Sequence, residues 1–191
     1  LLLPLLDNPQ YEIRLFTGPQ KKTVAEAAGF NVVTILEGHV EEFEKAANNS
    51  EQLGILSAYH QLSASIDLIN LVSDQLMKVW QKNRPDIVIA DFITLSGGLV
   101  AEQMGIPWIT TMATQFAIET TGGPPCFFGG MGTPQNSWQV LEQFLGRKIT
   151  HLGKRIVTLL LRDRLRRYHF KLYNQKGQET IYSPYSILGI G

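Results

Sequence analysis

The chain has 191 residues, 44% of them hydrophobic and 18% charged, which is enough apolar material for a domain with a real core and excludes a disordered tail. Its net charge is zero but unevenly laid out: residues 1–146 hold 7 Lys/Arg against 15 Asp/Glu, and residues 147–191 hold 10 against 2. The single cysteine, Cys126, excludes an intrachain disulfide and a cysteine metal cluster, and no apolar run reaches the length of a membrane-spanning helix.

The chain opens on an apolar stub, Leu1–Leu6, followed by the turn Asp7-Asn8-Pro9. "YEIRLF" (Tyr11–Phe16) alternates as a strand does, "QKKTVAEAAGF" is a short helix stopped by Gly29, and "NVVTIL" (Asn31–Leu36) is a second strand. A long helical stretch with a polar break at "NNSEQ" runs to Trp80. Ile87–Ala90 is a short unbroken apolar strand, of the kind buried on both faces of a parallel sheet. Ile93–Met104 reads as a helix, stopped by Gly105 and by Pro107 two residues later. Trp108–Met112 is the next strand. Strands alternating with helices predict an α/β fold, a Rossmann-like doubly wound parallel sheet. Beyond Thr114 the alternation gives way to the glycine- and proline-rich loop "ETTGGPPCFFGGMGTPQN", then to amphipathic helices from Ser137 onward, and the tail "ETIYSPYSILGIG" ends on a short strand.

Asp91 follows the strand Ile87–Ala90 directly. Ligands of open α/β sheets bind beyond the carboxyl ends of the strands, which makes this carboxylate a candidate functional group. An aspartate there also suits the N-cap of the helix that follows, and spacing alone leaves both roles open.

The block "PDIVIADF…SGGLVAEQMGIPWITTMATQF" resembles the centre of UDP-glycosyltransferases that modify small molecules, a family that includes glucuronosyltransferases and macrolide glycosyltransferases. The segments "YEIRLFTGP…VAEAAGFNVV", "GGPPCFFGG…LEQFLGRKITHLGKRI" and "ETIYSPYSILGIG" are similar to the same family's acceptor-binding half. The resemblance implies one half of a GT-B fold, with residues 1–191 as a single N-terminal acceptor-binding domain. It implies that a hydroxyl of a small hydrophobic acceptor attacks the anomeric carbon of a UDP-sugar with inversion. Asp91 corresponds to the aspartate that orients the family's histidine base; a carboxylate on one ring nitrogen fixes the tautomer and stabilises the imidazolium. By the same resemblance Thr114, Gln115 and Phe116 line the cleft floor, and Thr114 contacts the donor sugar. Phe127, Phe128, Met131 and Trp138 either offer apolar groups to the acceptor or pack the loop onto the domain.

Two parts of the family's pattern are absent. Its base sits in a Gly-His-x-x-Pro turn that this sequence lacks, so the first strand and the histidine are expected before Leu1. The donor-binding domain is expected beyond Gly191 or on a partner chain, and the chain alone is expected to be inactive. Gly38-His39 follows a strand but leads into Glu-Glu without a proline, and His60, His151 and His169 fall on helices. No pair of histidines has metal-ligand spacing, so no metal is expected, and no cofactor beyond the UDP-sugar co-substrate. "GGPPCFFGGMG" lacks the spacing of a phosphate loop.

Between Arg147 and Lys171 lie nine Lys/Arg and one acid, with Ile149, Leu152, Ile156, Leu159, Leu160, Leu165 and Tyr168 at helical spacing. One reading is a solvated face set over acidic residues 37–51; the other is a peripheral contact with an anionic membrane. Nucleic acid is not an expected partner, because the rest of the chain is acidic and no recognition module is present. The expected location is cytoplasmic, either free or peripheral to a membrane. The competing class is a non-catalytic α/β docking module that uses its basic helix to bind a membrane or a partner.

Overall fold

A computed structural model describes residues 3–39, 41, 55–92, 94–112, 118–119, 121–126, 131–165 and 172–189. The chain divides into two compact units, Leu1–Asn83 and Arg84–Gly191.

In the first unit, α1 (Leu3–Leu6) precedes β1 (Arg14–Thr17), a 3-10 turn (Pro19–Lys21), α2 (Lys22–Ala27), β2 (Asn31–Thr34) and α3 (Ile55–Lys82). Strands β1 and β2 pair in parallel, with Arg14 opposite Asn31 and Thr17 opposite Thr34. The first strand begins three residues later than the alternation of Tyr11–Phe16 predicts, and Tyr11 is exposed. Gly29, at φ 88°, makes the left-handed turn that ends α2 and lets the chain return into β2. Helix α3 buries Ile66, Val72, Leu76 and Trp80, a spacing that places them along one stripe. The Trp80 indole meets Phe16 of β1 edge-on, with ring centroids 5.9 Å apart. Gln75 of α3 accepts a hydrogen bond from the Leu36 backbone N–H at 2.8 Å, where Leu36 turns the chain out of β2 at φ 65°.

In the second unit, β3 (Val88–Asp91), α4 (Leu95–Met104), β4 (Trp108–Met112), α5 (Ser137–Leu160), α6 (Arg162–Leu165) and β5 (Ile187–Gly189) follow in order. The three strands form a parallel sheet in the order β3-β4-β5. The predicted bounds of β4 hold, and the tail supplies the last strand as the sequence implies. These parallel strands and crossover helices give the expected Rossmann-like α/β architecture, with amphipathic helices added after β4.

The sheet is assembled through small residues. A β-carbon on Gly97 would lie 3.1 Å from Cβ of Ala90, and one on Gly98 would lie 2.5 Å from the Trp108 ring, so α4 rests directly on β3 and β4. Val100 and Ala101 of that helix and Met112 of β4 are fully buried. The expectation that β3 is buried on both faces is overturned. Successive residues of a strand point to opposite faces. Val88 and Ala90 face inward and are buried, while Ile89 is 39% exposed. Among the described residues α4 packs on one face of β3, and β3 lies at the edge of its sheet.

Candidate functional site

Asp91 is the last residue of β3, directly opposite Thr111 of β4. The ladder continues one step further, where the Phe92 N–H donates to the Thr111 carbonyl at 3.0 Å. The chain then turns sharply. Thr94 donates to the Asp91 carbonyl from its backbone N–H at 3.1 Å and from its hydroxyl at 3.2 Å. Thr94, rather than Asp91, holds the N-cap position of α4, and its side chain makes no capping hydrogen bond. The helix thus begins two residues later than Ile93. Asp91 is exposed and stands at the carboxyl edge of the parallel sheet, the edge at which open α/β sheets bind ligands.

Strand β4 ends at Met112, so the register that sets Asp91 beside Thr111 also sets it beside the strand leading to Thr114. Thr114, Gln115 and Phe116 themselves lie outside the described residues, as do Phe127 and Phe128. Met131 and Trp138 are described and occupy different settings. The segment carrying Met131 is held to α5 by Gln143, whose Nε2 donates to the Gly132 carbonyl at 2.8 Å. Trp138 is in the first turn of α5 and 73% exposed. That turn is capped by Asn136, whose side-chain oxygen accepts from the Gln139 N–H at 2.9 Å, while the Gln139 side chain accepts from the Gln135 N–H at 2.6 Å.

Helix α5 also clasps the loop between β4 and itself. Arg147 donates to the Gly123 carbonyl, and Gly146 is pressed so closely on Pro125 that a β-carbon there would lie 2.7 Å from the ring. Glu119, Cys126, Arg147 and Thr150 line a small pocket beside this contact.

Sequence reasoning missed the polar cluster next to that pocket. Glu119 receives the Tyr173 hydroxyl at 2.6 Å and meets His151 Nδ1 at 2.8 Å. Lys154 bridges to Glu179 at 2.5 Å and to Glu119 at 3.3 Å, and the Glu119 N–H donates to Glu179 at 3.1 Å. The His151 and Tyr173 rings are stacked at a tilt with centroids 4.5 Å apart, and the Arg155 guanidinium lies 5.4 Å from the Tyr173 ring centroid.

The partners tune one another. Burial opposes the charge on Glu119, but the hydrogen bonds from Tyr173 and His151 and the charge of Lys154 outweigh it and hold the carboxyl below its ordinary range. Burial likewise opposes the charge on Lys154, and Glu179 outweighs it, leaving the ammonium harder to deprotonate than usual. The Tyr173 phenol is pushed far up by burial and by its bond to Glu119, and Tyr182 is pushed up by burial and by the charge of Glu179. The one signal in the sequence was His151 and Lys154 three residues apart on a single helix, which places them on the same face. Those two groups find their acids at Glu119 and Glu179; of the acidic segment 37–51, residues 40 and 42–51 lie outside the described residues.

His39 sits in the turn after β2, where its N–H donates to the Leu36 carbonyl at 3.1 Å. The side chain of His60 and all of His169 lie outside the described residues. Among the described residues, no group of three His, Cys, Asp or Glu side chains is placed to hold a metal ion, and no helix is long and apolar enough to cross a membrane.

No protein-family model and no curated protein sequence matches the chain. Solved structures do. The glycosyltransferase SsfS6 of Streptomyces sp. SF2575 superposes over 99% of this chain and 45% of its own, with a TM-score of 0.53 at 15% identity. CalG4, the calicheamicin glycosyltransferase, superposes over 88% of this chain and 39% of its own, with a TM-score of 0.55 at 17% identity. SsfS6 complexed with thymidine diphosphate superposes over 58% of this chain and 33% of its own, with a TM-score of 0.43 at 20% identity. The chain therefore spans less than half the length of SsfS6 and CalG4, and with TM-scores of 0.53 and 0.55 it shares the fold of that part of them.

Proposed function

We propose that this chain is the acceptor-binding half of an inverting glycosyltransferase. The donor is a nucleoside-diphosphate sugar, with UDP the nucleotide that the sequence resemblance implies. The single observation that carries the reading is the position of Asp91: an exposed carboxylate ending a strand at the ligand-binding edge of a glycosyltransferase fold, set beside the strand that leads to Thr114.

In this mechanism Asp91 accepts a hydrogen bond from one ring nitrogen of a histidine supplied from outside these 191 residues. The other ring nitrogen takes the proton of the acceptor hydroxyl as that oxygen bonds to the anomeric carbon. The carbon–oxygen bond to the diphosphate breaks on the opposite face, the nucleoside diphosphate leaves with the electron pair, and the configuration inverts. Asp91 then stabilises the imidazolium. The segment 113–117 and the loop carrying Met131 would hold the acceptor, and the donor would be held by a second domain or partner chain closing over it to exclude water.

The test is Asp91→Asn in the full-length enzyme. The amide keeps the shape but neither fixes the tautomer nor balances the imidazolium charge. Transfer is expected to fall by about 10²–10⁴ with the unfolding midpoint unchanged. Wild-type turnover by a normally folded variant would remove Asp91 from the mechanism.

A further inference from the structure

Helix α5 is amphipathic with its polarity reversed. A helix on a domain normally turns its apolar stripe inward. Here the side that faces the domain is polar: Gln143 bonds the Gly132 carbonyl, Arg147 the Gly123 carbonyl and Lys154 the Glu179 carboxylate. The opposite side carries Trp138, Leu141, Leu145, Leu152, Ile156 and Leu159, spaced three, four and seven residues apart along one stripe, and all of them are exposed. At the α-helical rise, the stripe from Trp138 to Leu159 is about 30 Å long. A continuous apolar surface of that extent marks an interaction site rather than an ordinary solvated face.

Its border identifies the partner. Lys148, Arg155 and Arg162 follow one another at intervals of seven residues, two turns each, and all three are exposed. Lys148 lies 5.6 Å from the Phe144 ring centroid, on the edge of the apolar face. Glu142 is the one acid in α5. A second copy of the helix packed antiparallel on this face would bring two rows of cations together, and in either orientation the copy offers no acidic row to receive them. An anionic lipid surface answers both features at once, because acyl chains take the apolar stripe and phosphates take the cations. An indole at one end of the stripe, as at Trp138, suits the headgroup level.

We propose that the outward face of α5 is a peripheral binding surface for anionic membranes, with α5 lying in the plane of the interface. This goes beyond sugar transfer and stands independently of it.

The experiment mixes the 191-residue chain with vesicles of phosphatidylcholine alone and with vesicles in which roughly a third of the lipid is phosphatidylglycerol. Cosedimentation is expected with the anionic vesicles and is expected to weaken as salt is raised. Trp80 and Trp108 are already buried, so a blue shift of tryptophan emission on binding reports Trp138 and is expected to vanish in Trp138→Phe. Two paired variants, Leu152→Gln/Ile156→Gln and Lys148→Glu/Arg162→Glu, replace exposed side chains. They are expected to keep the unfolding midpoint while lowering the partition coefficient about tenfold or more. Three results would overturn the proposal: no binding to anionic vesicles, binding equal on both vesicle types or indifferent to the variants, or a dimer in lipid-free buffer that Leu152→Gln/Ile156→Gln dissolves, which would give the face to a second copy of the chain.

Discussion

A β-carbon added to Gly98 would lie 2.5 Å from Cζ3 and 2.6 Å from Cη2 of Trp108. The indole cannot move aside easily: it is buried, and its Nε1 donates to Glu102 at 3.2 Å. Helix α4 cannot move either without lifting off both strands that position Asp91. Gly98→Ala is therefore expected to destabilise the fold by about 1–3 kcal/mol through overpacking, although alanine is intrinsically the better helix former by about 1 kcal/mol. Urea denaturation measures the loss, and the cost of Gly98→Ala is expected to be smaller in a Trp108→Leu background than in the wild type. Equal or greater stability of Gly98→Ala would show that the contact is looser than the packing implies.

Gly105 is constrained differently. A β-carbon there would meet nothing within 4 Å, but its φ is 62°. This left-handed residue ends α4, and Ile106 N–H bonds back to the Ala101 carbonyl at 2.8 Å. Gly105→Ala is expected to cost about 1 kcal/mol through the backbone alone, and Gly105→Asn less, because asparagine tolerates the left-handed region. Thermal unfolding of the pair separates this conformational cost from the steric one at Gly98.

Ser183 fastens the C-terminal segment to the sheet. Its hydroxyl donates to the Trp108 carbonyl and accepts from the N–H groups of Tyr185 at 3.0 Å and Ser186 at 3.3 Å. Its own N–H donates to Thr110 Oγ1 at 2.8 Å. Both Ser183 and Thr110 are buried, so water does not replace a lost partner. Ser183→Ala is expected to cost about 1–3 kcal/mol and to raise amide exchange first along β5. Exchange unchanged at Ile187–Gly189 would mean that the strand pairing holds the segment without the serine.

The parallel α/β order was readable because its signals are local. Gly105 and Pro107 fix the end of α4, "WITTM" is β4 as it stands, and the apolar run before Asp91 delivers that carboxylate to the sheet edge. What the sequence hides is whatever depends on distant partners. Ile89 is as apolar as Val88, and only the placement of α4 leaves it on the open face. The reversed polarity of α5 is invisible to periodicity, which finds an apolar stripe but not the side on which the domain lies. The cluster around Glu119 joins residues 32 and 54 positions apart, and no spacing rule reaches that far. Most of the residues expected to bind the acceptor sit in 113–117 and 127–130, where the strand signal has already ended.

That cluster carries a pH dependence of known sign. Glu119 is held below its ordinary value of 4.5, so its hydrogen bonds stabilise the fold fully above that pH and are lost as the pH falls through the lowered folded-state value. Tyr173 moves the other way. Its folded state holds the proton more tightly than the unfolded value of 10.0 allows, so its contribution is complete below pH 10.0 and is lost above it. Lys154, raised above 10.5 by Glu179, follows the same alkaline sense. Tyr173→Phe removes a hydroxyl bonded to a charged acceptor and is expected to cost about 1–3 kcal/mol at neutral pH. The gap between variant and wild type is expected to narrow above pH 10.0, where the wild-type phenol also loses its advantage. For Glu119→Gln the gap is expected to be constant at neutral pH and to narrow below 4.5. Urea unfolding of the three proteins across both limbs reads the two gaps directly. A Tyr173→Phe gap that stays constant through the alkaline limb would mean that the phenol–Glu119 bond does not hold the segment carrying Glu119 to the segment carrying Tyr173.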